Sequence, residues 1–410
     1  MPSEPLPSPT DYHRWRQRTA AVAGATYQVA TKPGVVAHGG DDPASRLLAE
    51  RVVVAPGSTV VQLQCGAGLF GAVAARGGRA AQVWLSDRNA LSVEAATRTL
   101  TLNGLTTATV VPGHGTAPFD PALRADVVAI RIPTEKLALL QLLADAFAIL
   151  RVGGRCCIAG ATNEGIKSAA TLLASLFGNA AVLGNDSGHR AVMAVKQAST
   201  PSETAALASA YLRHDAFHPL DVTLRGVSLS LWTRPGVFSW EHLDEATALL
   251  ADVMEVRAGD DVLDLGCGAG ALGLLAARLS ATGRITMVDA DLEAVRCVRR
   301  TLAASPDAHC EVMGSDVAAA VLDRRYDLVV TNPPFHVGKA TDLAVPGQFI
   351  RDAHAVLKPG GRLALVANRT LPYERLLEAQ FGAFVTLHDG PRFKVLGAVR
   401  QPSAGGVRRQ

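Results

Sequence analysis

One local pattern occurs in both halves of the chain: an apolar run, a glycine-containing loop, and a segment that suits a helix. Residues 60–68 (VVQLQCGAG) and 262–270 (VLDLGCGAG) carry the two loops. A short apolar run suits a buried strand, and glycine is needed where backbone turns tightly or approaches a ligand closely. A repeated strand, loop and helix predicts two doubly wound α/β domains, each built on a mainly parallel sheet.

The length of 410 residues suits two domains better than one. A small polar run at 196–204 ends an apolar strand and separates the halves. Alternating apolar and polar residues within 221–233, around Arg225 and Gly226, predict a hairpin that introduces the second half. The predicted layout is a first domain at 1–196, a linker at 197–210, a second domain at 211–400 and a flexible tail at 401–410.

Composition excludes several classes of protein. The net charge is +3, so any binding to nucleic acid must come from local patches. The six cysteines include no Cys-x-x-Cys pair, which argues against a zinc site or a disulfide framework. The N-terminus lacks an apolar signal segment, and no apolar run is long enough to span a bilayer. We therefore expect a cytoplasmic monomer without a metal or a membrane partner.

The loop in the second half has two interpretations. Its letters fit G-x-G-x-x-A from Gly266 and G-x-G-x-x-G from Gly268, which are also found in dinucleotide-binding proteins. Asp264 lies inside the strand end, two residues before Gly266. That acid, and the polar corner described below, favour S-adenosyl-L-methionine (SAM) over NAD.

Two further acids follow the next two apolar runs. Asp289 ends the first run, where a carboxylate can accept hydrogen bonds from both ribose hydroxyls of a nucleoside. Asp316 follows the second run and is placed to accept from an adenine amino group. A helix N-cap is the alternative interpretation of each single aspartate. The ordered series of acid, glycines, acid and acid favours a cofactor site.

An Asn-Pro-Pro-Phe corner, residues 332–335, follows the apolar run 326–330. Asn332 offers a side-chain carbonyl, and the Pro333 carbonyl lies beside an amide without an N–H. Both acceptors can hold one exocyclic amine, while Phe335 stacks on the face of the base. This arrangement suits methyl transfer to a planar amine, although paired prolines also mark plain rigid turns.

With these motifs, residues 235–400 resemble the catalytic domain of the ribosomal RNA guanine-N2 methyltransferases of the RsmC/RlmG type. The resemblance is carried by the loop and the corner, and by 235–239, 243–244, 366–368, 371–373 and 392–395. It implies two tandem Rossmann-like class I SAM-dependent methyltransferase domains, the N-terminal copy degenerate. It also implies SAM as cofactor, and ribosomal RNA or the small ribosomal subunit as partner, with 16S rRNA favoured over large-subunit RNA.

The predicted site residues fall into three groups. The cofactor-binding residues are Asp264, Gly266, Cys267, Gly268, Gly270, Asp289, Ala290, Asp316, Val317 and Asn332. The catalytic residues are Asn332, Pro333, Pro334 and Phe335. The candidate substrate contacts are Phe238, His336, Lys339, Asn368 and Arg369, with no metal ligand. Because every predicted cofactor contact lies in the second half, a fragment beginning at Ser202 is expected to bind SAM.

The first half keeps the pattern but changes its polar residues. Gln62 stands in place of Asp264, and Gln64 in place of Gly266, where a side chain would intrude. The corner is lost, and Arg131 lies where the ligand pocket would open. We expect an inactive copy that binds or positions RNA, with Arg131 as an RNA contact or an interdomain salt bridge. The aromatic and basic segment 12–18 is a second candidate RNA contact or a solvated helix face.

Three alternatives stay open at this stage. Adenine-N6 and protein glutamine methyltransferases use the same Asn-Pro-Pro corner for the same amine geometry. A non-catalytic RNA-binding assembly factor is the third alternative, and the intact motifs of the second half disfavour it.

Overall fold

The computed structural model describes residues 12–36, 38, 40, 42–202, 205–305, 309–334 and 343–402. This part of the chain forms two compact units. The first unit is His13–Ala216, and the second comprises Tyr12 and the described residues from Phe217 onward. The boundary falls shortly after the predicted linker, 197–210. Leu207 and Leu212 pack against a core of the first unit.

The first unit contains nine strands and five α-helices among its described residues. The strands are β1 (Arg16–Val22), β2 (Ala25–Thr31), β3 (Ser58–Leu63), β4 (Ala80–Asp87), β5 (Ala108–Pro112), β6 (Ala125–Arg131), β7 (Leu150–Ala161), β8 (Ala181–Asp186) and β9 (His189–Val195). The helices are α1 (Pro43–Arg51), α2 (Leu69–Ala75), α3 (Ala90–Leu102), α4 (Lys136–Ile149) and α5 (Ile166–Phe177).

The described part of the second unit repeats this order. Its strands are β10 (His218–Leu224), β11 (Val227–Thr233), β12 (Val262–Leu265), β13 (Ile285–Asp289), β14 (Cys310–Gly314), β15 (Tyr326–Thr331), β16 (Leu357–Asn368), β17 (Val385–Asp389) and β18 (Phe393–Val399). Its helices are α6 (Glu245–Val253), α7 (Ala271–Leu279), α8 (Leu292–Ala304), α9 (Ala344–Val356) and α10 (Tyr373–Phe381).

Each unit has one large sheet, and the two sheets share one topology. In the described residues the strand orders are β5-β4-β3-β6-β7-β9-β8 and β14-β13-β12-β15-β16-β18-β17. The first five strands of each order are parallel, and the last two pair antiparallel. The predicted pair of α/β domains is confirmed. The carboxyl ends of the parallel strands share one edge, where ligands bind in sheets of this kind.

Burial on both faces explains why the central strands are mainly apolar. Val262 packs in a buried cluster with α6 and α7, whereas Leu263 packs in another with α9 and α10. Helices cover both faces, so neither face of β12 needs polar residues. None of the described helices has the length and apolar character needed to cross a lipid bilayer.

The predicted hairpin is confirmed as β10 and β11, which pair antiparallel. Its two turn residues, Arg225 (φ 52°) and Gly226 (φ 77°), both have positive φ, as a tight hairpin turn of this hand requires. A matching hairpin of β1 and β2 opens the first unit. This hairpin was not predicted, because of its two turn residues, Ala23 (φ 50°) and Gly24 (φ 75°), only the glycine signals a turn.

Candidate active site

The backbone conformation and packing of the loop between β12 and α7 explain why it contains three glycines. Gly266, Gly268 and Gly270 all have positive φ, between 52° and 88°. A Cβ on Gly270 would lie 2.9 Å from Val298 Cγ2, so close helix packing excludes a side chain there. A Cβ on Gly268 would meet no atom within 4 Å, which leaves its backbone open to a ligand. Gly266 instead faces the Phe349 ring, 3.1 Å from its Cβ position.

Asp264 supports this loop from within the sheet. Its Oδ2 accepts a hydrogen bond from the Gly273 N–H of α7 at 2.8 Å. Its Oδ1 is buried and has no hydrogen-bond partner among the described residues. Burial raises the pKa of Asp264 to about 7, the Gly273 N–H opposes that shift, and the nearby Asp289 carboxylate adds to it. The carboxyl group is therefore about half protonated near pH 7.

The first unit fills the same position with a neutral amide. Gln62 Oε1 accepts from the Gly71 N–H at 2.9 Å, and its Nε2 donates to the Cys65 carbonyl at 3.3 Å. An amide thus performs the structural role of Asp264 in the other copy. The stabilising role of this position does not require a charge.

We expect Asp264→Asn to flatten the pH dependence of stability. The folded-state pKa of Asp264 lies above the unfolded value, so the folded chain binds the proton more tightly and loses stability as pH rises from 5 to 7. The loss is about 1 kcal/mol per pH unit and is absent in the variant. Thermal unfolding at several pH values measures it. If the Tm of the variant changed with pH in the same way as the Tm of the wild type, the expectation would be contradicted.

Asp289 ties the loop to the end of β13. Its Oδ2 accepts from the Gly268 N–H and its Oδ1 from the Asp291 N–H, both at 2.8 Å. Asp289 is half-buried, and Ala290 follows it before α8 begins. The first unit keeps this arrangement: Asp87 accepts from the Gly66 N–H at 2.9 Å.

The loop after β14 holds the third predicted acid. The Ser315 N–H donates to the Asp289 carbonyl at 2.9 Å, which joins this loop to β13. Asp316 is half-buried, and its Oδ1 accepts from the Tyr12 hydroxyl at 2.9 Å. Val317 is buried with φ 50°, a conformation that β-branched residues rarely adopt. Such strain persists only where the surroundings hold it, and it clusters at binding sites.

Asn332 follows β15 directly, and its side chain is held in one orientation. Its Nδ2 donates to Asp244 Oδ2 at 3.0 Å and to Thr247 Oγ1 at 2.9 Å. Its Oδ1 is buried and has no hydrogen-bond partner among the described residues. Since both partners of the NH2 group are acceptors, they fix which end of the amide is oxygen. The corner therefore presents one unused acceptor.

Sequence reasoning missed Asp244 and Thr247 as site residues. Asp244 caps α6, where it accepts from the Thr247 N–H at 2.8 Å and from the Thr247 hydroxyl at 3.0 Å. The Asp-x-x-Thr pattern ahead of an apolar run signals such a cap. The pattern does not signal the contact with Asn332, because that contact comes from the sheet topology.

A cleft of about 480 Å³, counting its open mouth, joins the loop to the corner. Its lining includes Phe238, Asp244, Cys267, Gly268 and Asn332. The Phe238 side chain is 58% exposed, which is unusual for a large aromatic residue. Among the residues that the structure describes, no cluster of His, Cys, Asp and Glu could hold a metal.

Pro333 is buried and Pro334 is exposed beside Asn332. The other predicted residues of the corner and of the substrate, Phe335, His336 and Lys339, lie outside the described residues. Asn368, at the end of β16, accepts from the Thr370 N–H and hydroxyl. Arg369 pairs with Asp389 and donates to the Gly390 carbonyl at 2.7 Å. The roles of Asn368 and Arg369 in substrate binding stay predictions.

In the first unit, strand register places Arg131 at the position of Asn332. Its Nη2 lies 2.7 Å from Glu164 Oε1, and its Nε lies 3.6 Å from Asp42 Oδ2. Asp42 caps α1 as Asp244 caps α6. The interdomain salt bridge expected for Arg131 is wrong, because both of these acids belong to the first unit. An ion-paired cation therefore fills the corner in this copy.

The first-unit loop also differs as predicted at position 64. Gln64 has φ 51°, so it adopts the left-handed backbone of Gly266 while carrying a side chain. The segment 12–18 does not form the expected helix face, because β1 begins at Arg16. Trp15 packs under the cations of Lys32 and Arg98, with centroid distances of 5.6 and 4.8 Å.

The strand order, the glycine loop, the acids after successive strands and the Asn-Pro-Pro corner define a Rossmann-like methyltransferase. A family model described as "Methyltransferase small domain" matches residues 26–193 and 228–397, one match in each unit. The chain belongs to the methyltransferase small domain family, with two copies of that domain.

Several relatives are named ribosomal RNA small subunit methyltransferase C. The protein of Hahella chejuensis is 42% identical over 173 residues, which are 42% of this chain and 50% of the relative. That of Pectobacterium atrosepticum is 34% identical over 277 residues, 65% of this chain and 73% of the relative. The chain spans about half the length of the first of these relatives.

One solved structure is similar over nearly the whole chain. It is described as T. thermophilus 16S rRNA N2 G1207 methyltransferase (RsmC) in complex with AdoMet and guanosine. The TM-score is 0.78 at 31% identity, covering 95% of this chain and 99% of that chain.

Proposed function

We propose that this protein transfers a methyl group from SAM to the exocyclic N2 amine of a guanine in 16S ribosomal RNA. The Asn332 amide supports this most directly, since Asp244 and Thr247 hold its NH2 group and leave its buried oxygen to accept. An acceptor of fixed direction can orient an amine. The named relatives direct the proposal to guanine N2 and to the small subunit.

The residues at the strand ends fit SAM. The open backbone at Gly268 leaves room for the methionine end, Asp289 faces the ribose hydroxyls, and Asp316 accepts from the adenine amine. The Asn-Pro-Pro corner favours SAM over NAD, whose chemistry has no use for such a corner. When bound, SAM would supply a methyl group bonded to its cationic sulfur. As the amine nitrogen forms a bond to the methyl carbon, the bond between that carbon and the sulfur breaks, and neutral S-adenosylhomocysteine is left.

The corner performs the remaining work by holding the amine. Asn332 Oδ1 accepts from one N–H of the guanine amine, and the Pro333 carbonyl accepts from the other. With both hydrogens held, the nitrogen lone pair is turned away from the ring of the base. After attack the nitrogen carries a positive charge and is acidic enough to lose a proton to water or to Asn332. Catalysis is then mainly proximity and desolvation, without a strong base.

The substrate test compares isolated 16S rRNA with assembled small subunits, both prepared without this modification. After incubation with SAM carrying a labelled methyl group, digestion and mass spectrometry identify the product. We expect N2-methylguanosine in 16S rRNA, and mapping shows whether its position corresponds to G1207 of the relative. Label in adenine N6, in large-subunit RNA or in protein glutamine would contradict the proposal, as would the absence of label.

A further inference from the structure

Tyr12 is part of the second unit, although the next residue, His13, belongs to the first. Its side chain is 3% exposed and lies in a buried cluster with Val317, Ala318 and Phe349. Its hydroxyl donates to Asp316 Oδ1 at 2.9 Å. Burial, together with the Asp316 carboxylate, raises the pKa of Tyr12, so the hydroxyl keeps its proton and remains a donor.

The loop that carries Asp316 is fixed by backbone contacts on both sides. The Ser315 N–H donates to the Asp289 carbonyl at 2.9 Å, and the Ala318 N–H donates to Asp352 Oδ2 at 3.2 Å. Between these contacts, Val317 has the strained φ of 50°. The backbone position of Asp316 is therefore set by the second unit, and the Tyr12 hydroxyl donates to its carboxylate.

The first unit has an equivalent position, which is filled by His214 instead of a tyrosine. Tyr12 precedes β1 by four residues, and His214 precedes β10 by four. His214 Nε2 lies 3.0 Å from both carboxylate oxygens of Asp145, and the Thr116 N–H donates to Asp145 as the Ala318 N–H does to Asp352. In both units, a residue four positions ahead of a hairpin therefore lies beside the loop that follows the edge strand, β14 or β5.

The loop residues beside Tyr12 and beside His214 differ between the two units. His114 stands at the position of Asp316, and its ring centroid lies 6.2 Å from that of His214. Gly115 (φ 56°) stands at the position of Val317 and has the same backbone conformation. Both units share the backbone conformation of this loop. The tyrosine that donates to a carboxylate occurs in the second unit, which also has the Asn-Pro-Pro corner.

We propose that Tyr12 is a positioning residue of the cofactor site, which orients the Asp316 carboxylate toward the adenine amino group. The inference rests on the proposed function, because it assigns the adenine amine of SAM to Asp316. Tyr12 takes one carboxylate oxygen and fixes the plane of the group. It thereby makes Tyr12, which precedes the first unit in the sequence, a part of the site at which the second unit selects adenine.

The test uses the full chain and two ligands that differ at the adenine amine. S-adenosylhomocysteine carries the amine, and S-inosylhomocysteine has a carbonyl oxygen in its place. Calorimetry gives the Kd of each for the wild type, Tyr12→Phe and Tyr373→Phe. Tyr373 is a matched control, since it is buried in the same cluster and its hydroxyl has no partner among the described residues.

We expect Tyr12→Phe to weaken S-adenosylhomocysteine by about 3- to 10-fold, the loss typical of one hydrogen bond, and to leave S-inosylhomocysteine unchanged. Tyr373→Phe should change neither. In a double-mutant cycle, Tyr12→Phe should add little to Asp316→Asn, because both remove the same contact. Thermal unfolding of each variant checks that the second unit is intact.

The outcomes separate this inference from the proposed function. If the wild type binds neither SAM nor S-adenosylhomocysteine, the proposed function fails. If it binds and methylates normally, but Tyr12→Phe keeps wild-type affinity for both ligands, the positioning role alone is refuted. An equal loss for both ligands also refutes it, since such a loss reflects general damage to the loop.

Discussion

Replacing Asn332 with alanine is expected to lower the rate of methyl transfer by about a hundredfold or more. SAM affinity should stay nearly unchanged, because Asn332, although also predicted as a cofactor contact, is proposed to hold the acceptor amine rather than the cofactor. The buried Asn332 oxygen is the acceptor that holds the amine, and Asp244 and Thr247 orient it. Without it, the amine is no longer fixed against the methyl group. Single-turnover rates and calorimetric titration with SAM measure the two effects separately.

Arg131→Ala is the positional control for this experiment. Arg131 occupies the same register in the first unit, where it pairs with Glu164 and Asp42. We expect this variant to keep methyl transfer within a few-fold of wild type. Near-normal turnover by Asn332→Ala would remove Asn332 from the mechanism. A comparable loss in a folded Arg131→Ala variant would mean that Arg131 is needed for methyl transfer, through RNA binding or otherwise.

A second substitution tests how Asn332 is held. Thr247→Val removes one acceptor of the Asn332 NH2 group and leaves Asp244 in place. It also removes the Thr247 hydroxyl contact with Asp244, while the cap on the Thr247 N–H persists. We expect a smaller loss of rate than in Asn332→Ala, about 3- to 10-fold, because one orienting contact remains. A loss as large as that of Asn332→Ala would point to a direct role for Thr247.

The sheet and its polar edge were predictable because they depend on local patterns. The apolar runs of β12, β13 and β15 each end at a residue whose type fits a strand end. The repeat of the glycine loop at 60–68 supported the same assignment in the first half. Helices cover both faces of the sheet, so the strands read as short apolar runs, and their length and the turn residues beside them distinguish them from helices. The position of Asn332 after β15 then followed from chain order.

The partners of these residues were not predictable, since they depend on contacts between distant segments. Asp244 reaches Asn332 because α6 begins beside the end of β15, which no local signal indicates. Tyr12 contacts Asp316, although the whole first unit lies between them in the sequence. A fragment beginning at Ser202 would lack Tyr12, so the expectation that it contains every cofactor contact does not extend to the residue that directs Asp316.

Asp289→Ala is expected to weaken SAM binding by about 1 to 3 kcal/mol, or roughly 5- to 150-fold, through lost hydrogen bonds to the ribose. The structure adds a second cost, since Asp289 Oδ2 also holds the Gly268 N–H of the glycine loop. Asp87→Ala supplies a closely matched control. Asp87 accepts from the Gly66 N–H at 2.9 Å and from the Asn89 N–H at 2.9 Å, as Asp289 does from Gly268 and Asp291.

The two variants therefore separate loop structure from cofactor binding. Both lose the same backbone contacts, but only the second unit combines its acid with Gly266, Asp264 and the Asn332 corner. We expect one SAM per chain, with Asp87→Ala retaining wild-type affinity. Calorimetry gives affinity and stoichiometry in one titration, and thermal unfolding shows whether each loop still folds. A stoichiometry near two, or equal sensitivity at Asp87, would mean that the first unit binds cofactor despite Gln64 and Arg131.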